Sequence, residues 1–133
     1  MDYKIAVLIP TKNRKALLQR ALTSVVTQDV LPDEIIVVND ASTDGTAEVI
    51  KNACSIDSRI IAITHSKNKG VGGAMVSGYK KAIELGAEII VKLDGDGQMS
   101  SGNIPALIAP LIKGTADFTK GNRFRDLRAL NKM

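Results

Sequence analysis

Two aspartates separated by one residue, Asp94 and Asp96, directly follow an apolar run that is typical of a buried strand. Residues two apart on an extended chain point to the same side, so both carboxylates can face one cation, and Gln98 can add a third oxygen there. Such ligands suit Mg²⁺ or Mn²⁺, and Gly95 and Gly97 leave room for a phosphate or a sugar. The stretch therefore predicts a metal site, with a solvated turn as the alternative.

A cation at this position would neutralise the charge that develops on a departing diphosphate, which is Lewis-acid and electrostatic catalysis. Asp40 follows another apolar run and could accept hydrogen bonds from a ribose hydroxyl or a base N–H, or it could cap a helix. Lys69 and Gly70 could offer a positive charge and backbone amides to a phosphate, although a polar turn explains the same residues.

Two other polar residues lie near the ends of predicted strands. His65 is the only histidine, and because no serine or cysteine nucleophile motif accompanies it, we interpret it as a turn residue rather than a general base. Arg123 could reach a phosphate with its planar guanidinium, or it could be a solvent-exposed residue of a basic tail.

Apolar, β-branched runs alternate along the chain with stretches of helical periodicity. Strands are predicted over residues 5–9, 34–38, 59–64, 88–93 and 116–120. Helices are predicted over 14–27, from Thr46, after Gly73 as far as Gly86, and from Ser100 or Ser101 to Gly114, with Pro110 kinking or dividing the last one. In the third helix Val76, Tyr79, Ala82 or Ile83, and Leu85 have the periodic spacing of an apolar face.

This alternation predicts a single α/β domain over residues 1–133, with a Rossmann-like, mostly parallel sheet and helices on both faces. Ligands bind such sheets at the carboxyl ends of the strands, near the point where the strand order reverses. Polar segments follow the first four predicted strands, at 10–13, 39–40, 68–70 and 94–96. Because these four segments would converge at one edge, a ligand site is favoured over four unrelated turns.

The composition narrows the class of ligand. The 133 residues are 44% hydrophobic and 24% charged, as in an ordinary folded α/β domain. The net charge of +4 suits an anionic ligand, but only 3% of the residues are aromatic, so nucleic acid is not an expected partner. A single cysteine, Cys54, excludes an intramolecular disulfide, and no apolar run approaches the roughly 20 residues of a membrane span. A cytoplasmic location is expected.

The strand-end motifs together resemble the inverting family 2 glycosyltransferases of GT-A fold. The motifs that carry the resemblance are Pro10-Thr11-x-Asn13, Val38-Asn39-Asp40-x-Ser42-x-Asp44-Gly45-Thr46, Asn68-Lys69-Gly70 and Asp94-Gly95-Asp96-Gly97-Gln98. The later segment Asp117-Phe118-x-x-Gly121-Asn122-Arg123-Phe124 is similar to the polyprenyl-phosphate (dolichol-phosphate) mannose and glucose synthase branch.

The resemblance implies a role for each motif. It implies a base pocket lined by the first motif, a base or ribose contact from Asp40, and contact of Arg123 with phosphate groups. The nucleotide-sugar site then comprises Pro10, Thr11, Asn13, Asp40, Lys69, Gly70, Asp94 and Gly95. The catalytic residues are Asp96 and Arg123, and the ligands of Mg²⁺ or Mn²⁺ are Asp94, Asp96 and Gln98.

The implied reaction transfers a sugar from a UDP- or GDP-sugar to a polyprenyl phosphate, at the cytoplasmic face of a membrane. Two alternatives stay open: an acceptor hydroxyl on a polysaccharide or protein, and a ligand-binding module without catalysis. Arg14 stands where many relatives have Glu, which leaves the choice between uridine and guanosine open. Because relatives continue past the position of Met133, we expect a domain truncated at its C-terminal end that binds the donor and is inactive alone.

Overall fold

The computed structural model describes residues 3–27, 32–93 and 104–119. Four strands and four helices lie in these ranges. They are β1 (Ile5–Thr11), α1 (Lys15–Val26), β2 (Glu34–Asn39), α2 (Thr46–Ile56), β3 (Ile60–Thr64), α3 (Gly70–Glu84), β4 (Ile89–Lys92) and α4 (Ile104–Ile112). None of the helices in this part of the chain is long and apolar enough to cross a membrane.

The four strands form one parallel sheet in the order β3-β2-β1-β4. Val7 of β1 pairs with Ile35 of β2 on one side and with Val91 of β4 on the other. The chain therefore winds outward from β1 through β2 to β3 and then returns to place β4 on the other side of β1. This reversal creates a switch point between β1 and β4. The predicted α/β class and the first four strands are confirmed.

The helices cover the sheet unequally. Helices α1, α2 and α4 pack on one face, where Leu18, Ile50 and Ile108 join a core with the strand residues that point to that side. Helix α3 covers the other face and contacts β1 and β2. Strands buried on both faces must be apolar along their whole length, which explains the continuous apolar runs of the sequence.

The buried face of α3 differs from the predicted one. Its buried residues are Ala74, Gly78 and Ala82, whereas Val76 is 53% and Tyr79 is 36% exposed. A β-carbon placed on Gly78 would lie 2.0 Å from Cδ1 of Leu8, so the helix backbone sits directly on the sheet. The expected apolar face was wrong except at Ala82 and at Leu85, which is partly buried just beyond the helix, because close approach to the sheet selects small side chains over large apolar ones.

The larger differences from the predicted boundaries concern β1, α3 and α4; the others are of one residue. Strand β1 continues through Pro10 to Thr11. Proline has no backbone N–H, but the pairing of β1 with β4 ends at Leu8, so no hydrogen bond from Pro10 to β4 is needed. Helix α3 begins at Gly70 rather than after Gly73, and it stops before Gly86 as predicted. Helix α4 runs to Ile112 with Pro110 in its last turn and is not divided.

A fifth strand was predicted over 116–120, but no strand forms over 116–119, and Lys120 lies outside the described residues. This segment instead folds back onto α4. The Thr119 hydroxyl donates to the carbonyl of Leu107 over 2.7 Å, and the Ala116 N–H donates to the carbonyl of Pro110 over 3.3 Å. The backbone N–H of Ala116 thus has a local partner in α4 instead of a partner in the sheet.

Candidate functional site

A cavity of about 400 Å³ opens at the carboxyl ends of β1 and β2, beside the N-terminal end of α3. Its walls are formed by Pro10, Thr11, Lys12, Arg14, Asp40, Asn68, Gly70, Val71 and Ala74. Four predicted nucleotide-binding residues, Pro10, Thr11, Asp40 and Gly70, thus meet around one space. The predicted residues Asp94, Gly95, Asp96, Gln98 and Arg123 lie outside the described residues.

The carboxylate of Asp40 is the most heavily hydrogen-bonded group in the cavity wall, and its residue is only 4% exposed. Its Oδ1 accepts from the ring Nδ1–H of His65 and from the backbone N–H of Lys69, each over 2.8 Å. Its Oδ2 accepts from the backbone N–H of Gly70, also over 2.8 Å. Burial alone would raise the pKa of Asp40, but these hydrogen bonds outweigh burial and hold the pKa below its ordinary value.

Asp40 therefore anchors the start of α3 to the end of β2. The two backbone N–H groups that it accepts from belong to Lys69, the N-cap residue, and to Gly70, the first residue of the helix, where the helix dipole favours a negative charge. Gly70 has a φ of +76°, a conformation that residues with a β-carbon rarely adopt. The glycine allows the chain to turn its amide toward the carboxylate.

Acidification is expected to remove this anchor. Because the pKa of Asp40 is lower in the folded chain than its ordinary value of 3.8, its stabilisation is present above that pH and is lost as the pH falls through the folded-state pKa. We expect the melting temperature to be nearly constant from about pH 7 to 5 and to fall below about pH 4. Circular dichroism melts should show a shallower acid slope in Asp40→Asn, and an equal slope in both proteins would contradict this role.

His65 is a buried network residue and more than a turn residue. It directly follows β3, is 7% exposed, and donates its backbone N–H to the carbonyl of Asn39 over 2.9 Å. Besides the contact with Asp40, its Nε2 lies 2.7 Å from the hydroxyl oxygen of Ser77 in α3. The sequence analysis missed Ser77. Ser77 lies about one helical turn beyond Ala74, so a helix predicted to begin at Gly70 would have indicated that the two residues share a face.

Asn13, which was predicted in the base pocket, and Lys69, which was predicted to meet a phosphate, are not among the cavity-lining residues. Asn13 bridges the loops that follow β1 and β2: its Oδ1 accepts from the N–H of Thr43 over 2.7 Å, and its own N–H donates to the hydroxyl of Ser42 over 3.0 Å. Its φ of +51° is one that asparagine tolerates better than most residues. Asn13 therefore holds the loops after β1 and β2 together, next to the cavity wall.

The hydroxyl of Thr11 is an unpaired buried polar group. The residue is 6% exposed and lines the cavity, and its Oγ1 has no hydrogen-bond partner among the described residues. A buried hydroxyl without a partner costs about 1–3 kcal/mol. Lys12 and Arg14 are exposed at the same wall and give the cavity mouth a positive rim.

In residues 3–27, 32–93 and 104–119, no three His, Cys, Asp or Glu side chains form a group that could hold a metal ion. The described chain reaches Leu93 at the end of β4, where the Leu93 N–H donates to the carbonyl of Leu8 over 2.8 Å. The predicted metal ligands follow Leu93 in the sequence. Leu93, the last described residue before these ligands, thus lies at the switch point between β1 and β4.

A doubly wound parallel sheet with a polar cavity at the carboxyl ends of its strands is typical of α/β domains that bind a ligand at that edge. The chain belongs to glycosyl transferase family 2, whose family model matches residues 6–132. This confirms the family that the strand-end motifs indicated.

Two relatives carry names of lipid-phosphate glycosyltransferases. The chain is 33% identical over 144 residues to the UDP-N-acetylglucosamine–dolichyl-phosphate N-acetylglucosaminyltransferase of Methanococcus voltae, an alignment that covers 99% of this chain and 57% of that protein. It is 29% identical to the undecaprenyl-phosphate mannosyltransferase of Micrococcus luteus, with 90% of this chain and 48% of that protein covered. The chain thus spans about half the length of these relatives.

Solved structures of GT-A glycosyltransferases share the fold, as predicted. The mannosyltransferase of Pyrobaculum calidifontis, solved with GDP-mannose and Mn²⁺, matches with a TM-score of 0.66 at 25% identity, over 77% of this chain and 30% of that one. Residues 1–349 of TarS from S. aureus match with a TM-score of 0.72 at 21% identity, over 92% of this chain and 38% of that one.

Proposed function

We propose that this chain is the nucleotide-sugar-binding part of an inverting, metal-dependent glycosyltransferase that moves a sugar from a UDP- or GDP-sugar to a polyprenyl phosphate at the cytoplasmic face of a membrane. The observation that carries the proposal is the cavity in which the buried carboxylate of Asp40 and the unpaired hydroxyl of Thr11 lie together, in a chain of family 2. These groups pair with the polar edges of a nucleoside, and the basic rim of Lys12 and Arg14 attracts the diphosphate.

The names of the relatives support both substrates. UDP-N-acetylglucosamine and dolichyl phosphate appear in the name of the M. voltae protein, and undecaprenyl phosphate appears in that of the M. luteus protein. The P. calidifontis structure contains GDP-mannose and Mn²⁺. Donor and acceptor of these classes are therefore the ones to test first.

Asp94, Asp96 and Gln98 would hold the cation. Two carboxylates and an amide oxygen are the hard oxygen ligands that Mg²⁺ and Mn²⁺ prefer, so the residue types fit the metal. When bound, the cation supplies Lewis-acid stabilisation of a leaving diphosphate. The side chains of Thr11 and Asp40 would meanwhile hold the nucleoside, and Arg123 would meet phosphate groups of the donor or the acceptor.

A phosphate acceptor is already anionic, so the reaction needs no general base to remove a proton from it. An acceptor hydroxyl, by contrast, needs a carboxylate base. Family 2 also contains relatives with names of that second kind, such as the beta-1,3-glucosyltransferase of Campylobacter jejuni, which is 33% identical over 114 residues. The acceptor must therefore be established by assay.

Replacing Asp96 with alanine is expected to abolish the metal-dependent part of donor binding, because it removes one of two carboxylate ligands. The measurement is isothermal titration of the chain with UDP- and GDP-sugars, with and without Mn²⁺. Glu84→Gln is the control, since Glu84 is exposed at the other end of α3 from the cavity. Equal titration heats for Asp96→Ala and the unchanged chain would refute the metal assignment.

The full-length protein, supplied with a radiolabelled donor, separates the acceptor classes. Label recovered on undecaprenyl phosphate supports the proposal. Label recovered on an oligosaccharide hydroxyl would assign the other transferase class, and donor binding without turnover in the full-length protein would identify a binding module.

A further inference from the structure

The carboxylate of Asp40 has few acceptor positions left for a ligand. A carboxylate offers roughly four lone-pair positions, two on each oxygen. Oδ1 already accepts from the ring of His65 and the N–H of Lys69, and Oδ2 accepts from the N–H of Gly70. Counting the donors among the described residues, one position remains, on Oδ2. The carboxylate can therefore accept one hydrogen bond from a ligand and not a side-by-side pair.

Nucleobases differ in the number of donors that they present to such a group. The Watson–Crick edge of guanine carries two adjacent donors, N1–H and N2–H, which match the two oxygens of a free carboxylate. The corresponding edge of uracil carries one donor, N3–H, between two carbonyl oxygens. A carboxylate with one free position satisfies uracil and leaves one guanine donor without a partner. Binding sites reject ligands whose buried polar groups stay unpaired.

The remaining groups of the cavity wall complement uracil. The exposed side chains of Lys12 and Arg14 at the same wall carry donors that can reach the uracil carbonyl oxygens. The cavity thus offers donors beside the one free acceptor position of Asp40, which complements the uracil edge.

His65 is the residue that limits Asp40 in this way. Both of its ring nitrogens are engaged, Nδ1 by Asp40 over 2.8 Å and Nε2 by Ser77 over 2.7 Å, and the residue is 7% exposed. In the neutral ring Nδ1–H donates to the carboxylate while Nε2 accepts the Ser77 hydroxyl proton. Because both ring nitrogens are hydrogen-bonded and the residue is buried, the ring keeps its contact with Oδ1 of Asp40.

We propose that His65 is a positioning residue that occupies one oxygen of Asp40 and so makes the cavity select uracil over guanine. The donor is then a UDP-sugar. This role rests on the proposed function of the cavity as a nucleotide-sugar site.

The test compares the dissociation constants of UDP and GDP, measured by isothermal titration at one Mn²⁺ concentration. The unchanged chain is expected to bind UDP at least about tenfold more tightly than GDP. His65→Phe keeps a ring of similar size but cannot donate to Oδ1, so this variant is expected to bind UDP and GDP about equally tightly. His65→Asn places an amide N–H where Nδ1 lies and is expected to retain the preference for UDP.

Because the result is a ratio of two constants measured on one sample, partial unfolding cancels, and His65→Leu serves if the phenylalanine variant does not fold. A preference for UDP that is unchanged in both apolar variants would overturn the role of His65. A preference of the unchanged chain for GDP would overturn the choice of base and leave the glycosyltransferase function standing. Binding of neither nucleotide would refute the proposed function itself.

Discussion

Asp40→Ala is expected to lower the free energy of unfolding by about 3 kcal/mol and to weaken UDP binding by about a hundredfold or more, because three hydrogen bonds to a buried charge are lost together. The ring N–H of His65 and the backbone N–H groups of Lys69 and Gly70 would all lose their acceptor. Water entering from the cavity can replace only part of this loss. Urea denaturation followed by circular dichroism gives the stability, and isothermal titration gives the affinity.

A matched carboxylate separates the two effects. Asp57 precedes β3 at the opposite edge of the sheet, where it binds the guanidinium of Arg59 over 2.6 Å, and that hydrogen-bonded partner holds the pKa of Asp57 below its ordinary value. Asp57→Ala is expected to cost stability while leaving UDP binding unchanged. If Asp40→Ala bound UDP as well as Asp57→Ala does, Asp40 would be an anchor of α3 and nothing more.

Gly78→Ala is expected to lower the free energy of unfolding by about 2 kcal/mol, although alanine favours a helix over glycine by about 1 kcal/mol. The new methyl group would lie 2.0 Å from Cδ1 and 2.7 Å from Cδ2 of Leu8, which is fully buried in the central strand. Either α3 must move away from the sheet or Leu8 must leave its rotamer. Urea denaturation measures the loss directly.

Gly72→Ala is the control for this substitution, because it lies in the same helix and a β-carbon there meets nothing within 4 Å. It is expected to raise the free energy of unfolding by about 0.5–1 kcal/mol through helix propensity alone. Equal effects of the two substitutions would contradict the close packing of α3 on β1.

The sequence was sufficient for the sheet but not for all of its surroundings. Continuous apolar runs rich in β-branched residues are typical of strands in parallel sheets, so β1 to β4 and their alternation with helices were predictable from composition and period. The buried face of α3 did not follow, since periodicity ranks large apolar residues such as Val76 above glycine. Close approach of two backbones leaves no hydrophobic signal, only a row of small residues.

The site was predictable to the extent that it depends on strand ends. Thr11 and Asp40 each follow from the rule that parallel strands present their carboxyl ends at one edge. The bonds from His65 to Ser77 and from Asn13 to Thr43 join loops and helices that are distant in sequence. Such contacts have no period and depend on the final docking of α3 and of the loops, so residue types alone did not reveal them.

The row of small residues on α3 has a second effect besides packing. Ala74 belongs both to the face that lies on the sheet and to the wall of the cavity. A larger residue there would at once push the helix outward and shrink the space for a ligand, so neither property can be altered alone. Divergence toward a different nucleotide, in nature or in the laboratory, is therefore expected to leave Ala74 in place and to change side chains at the strand ends, such as His65 after β3.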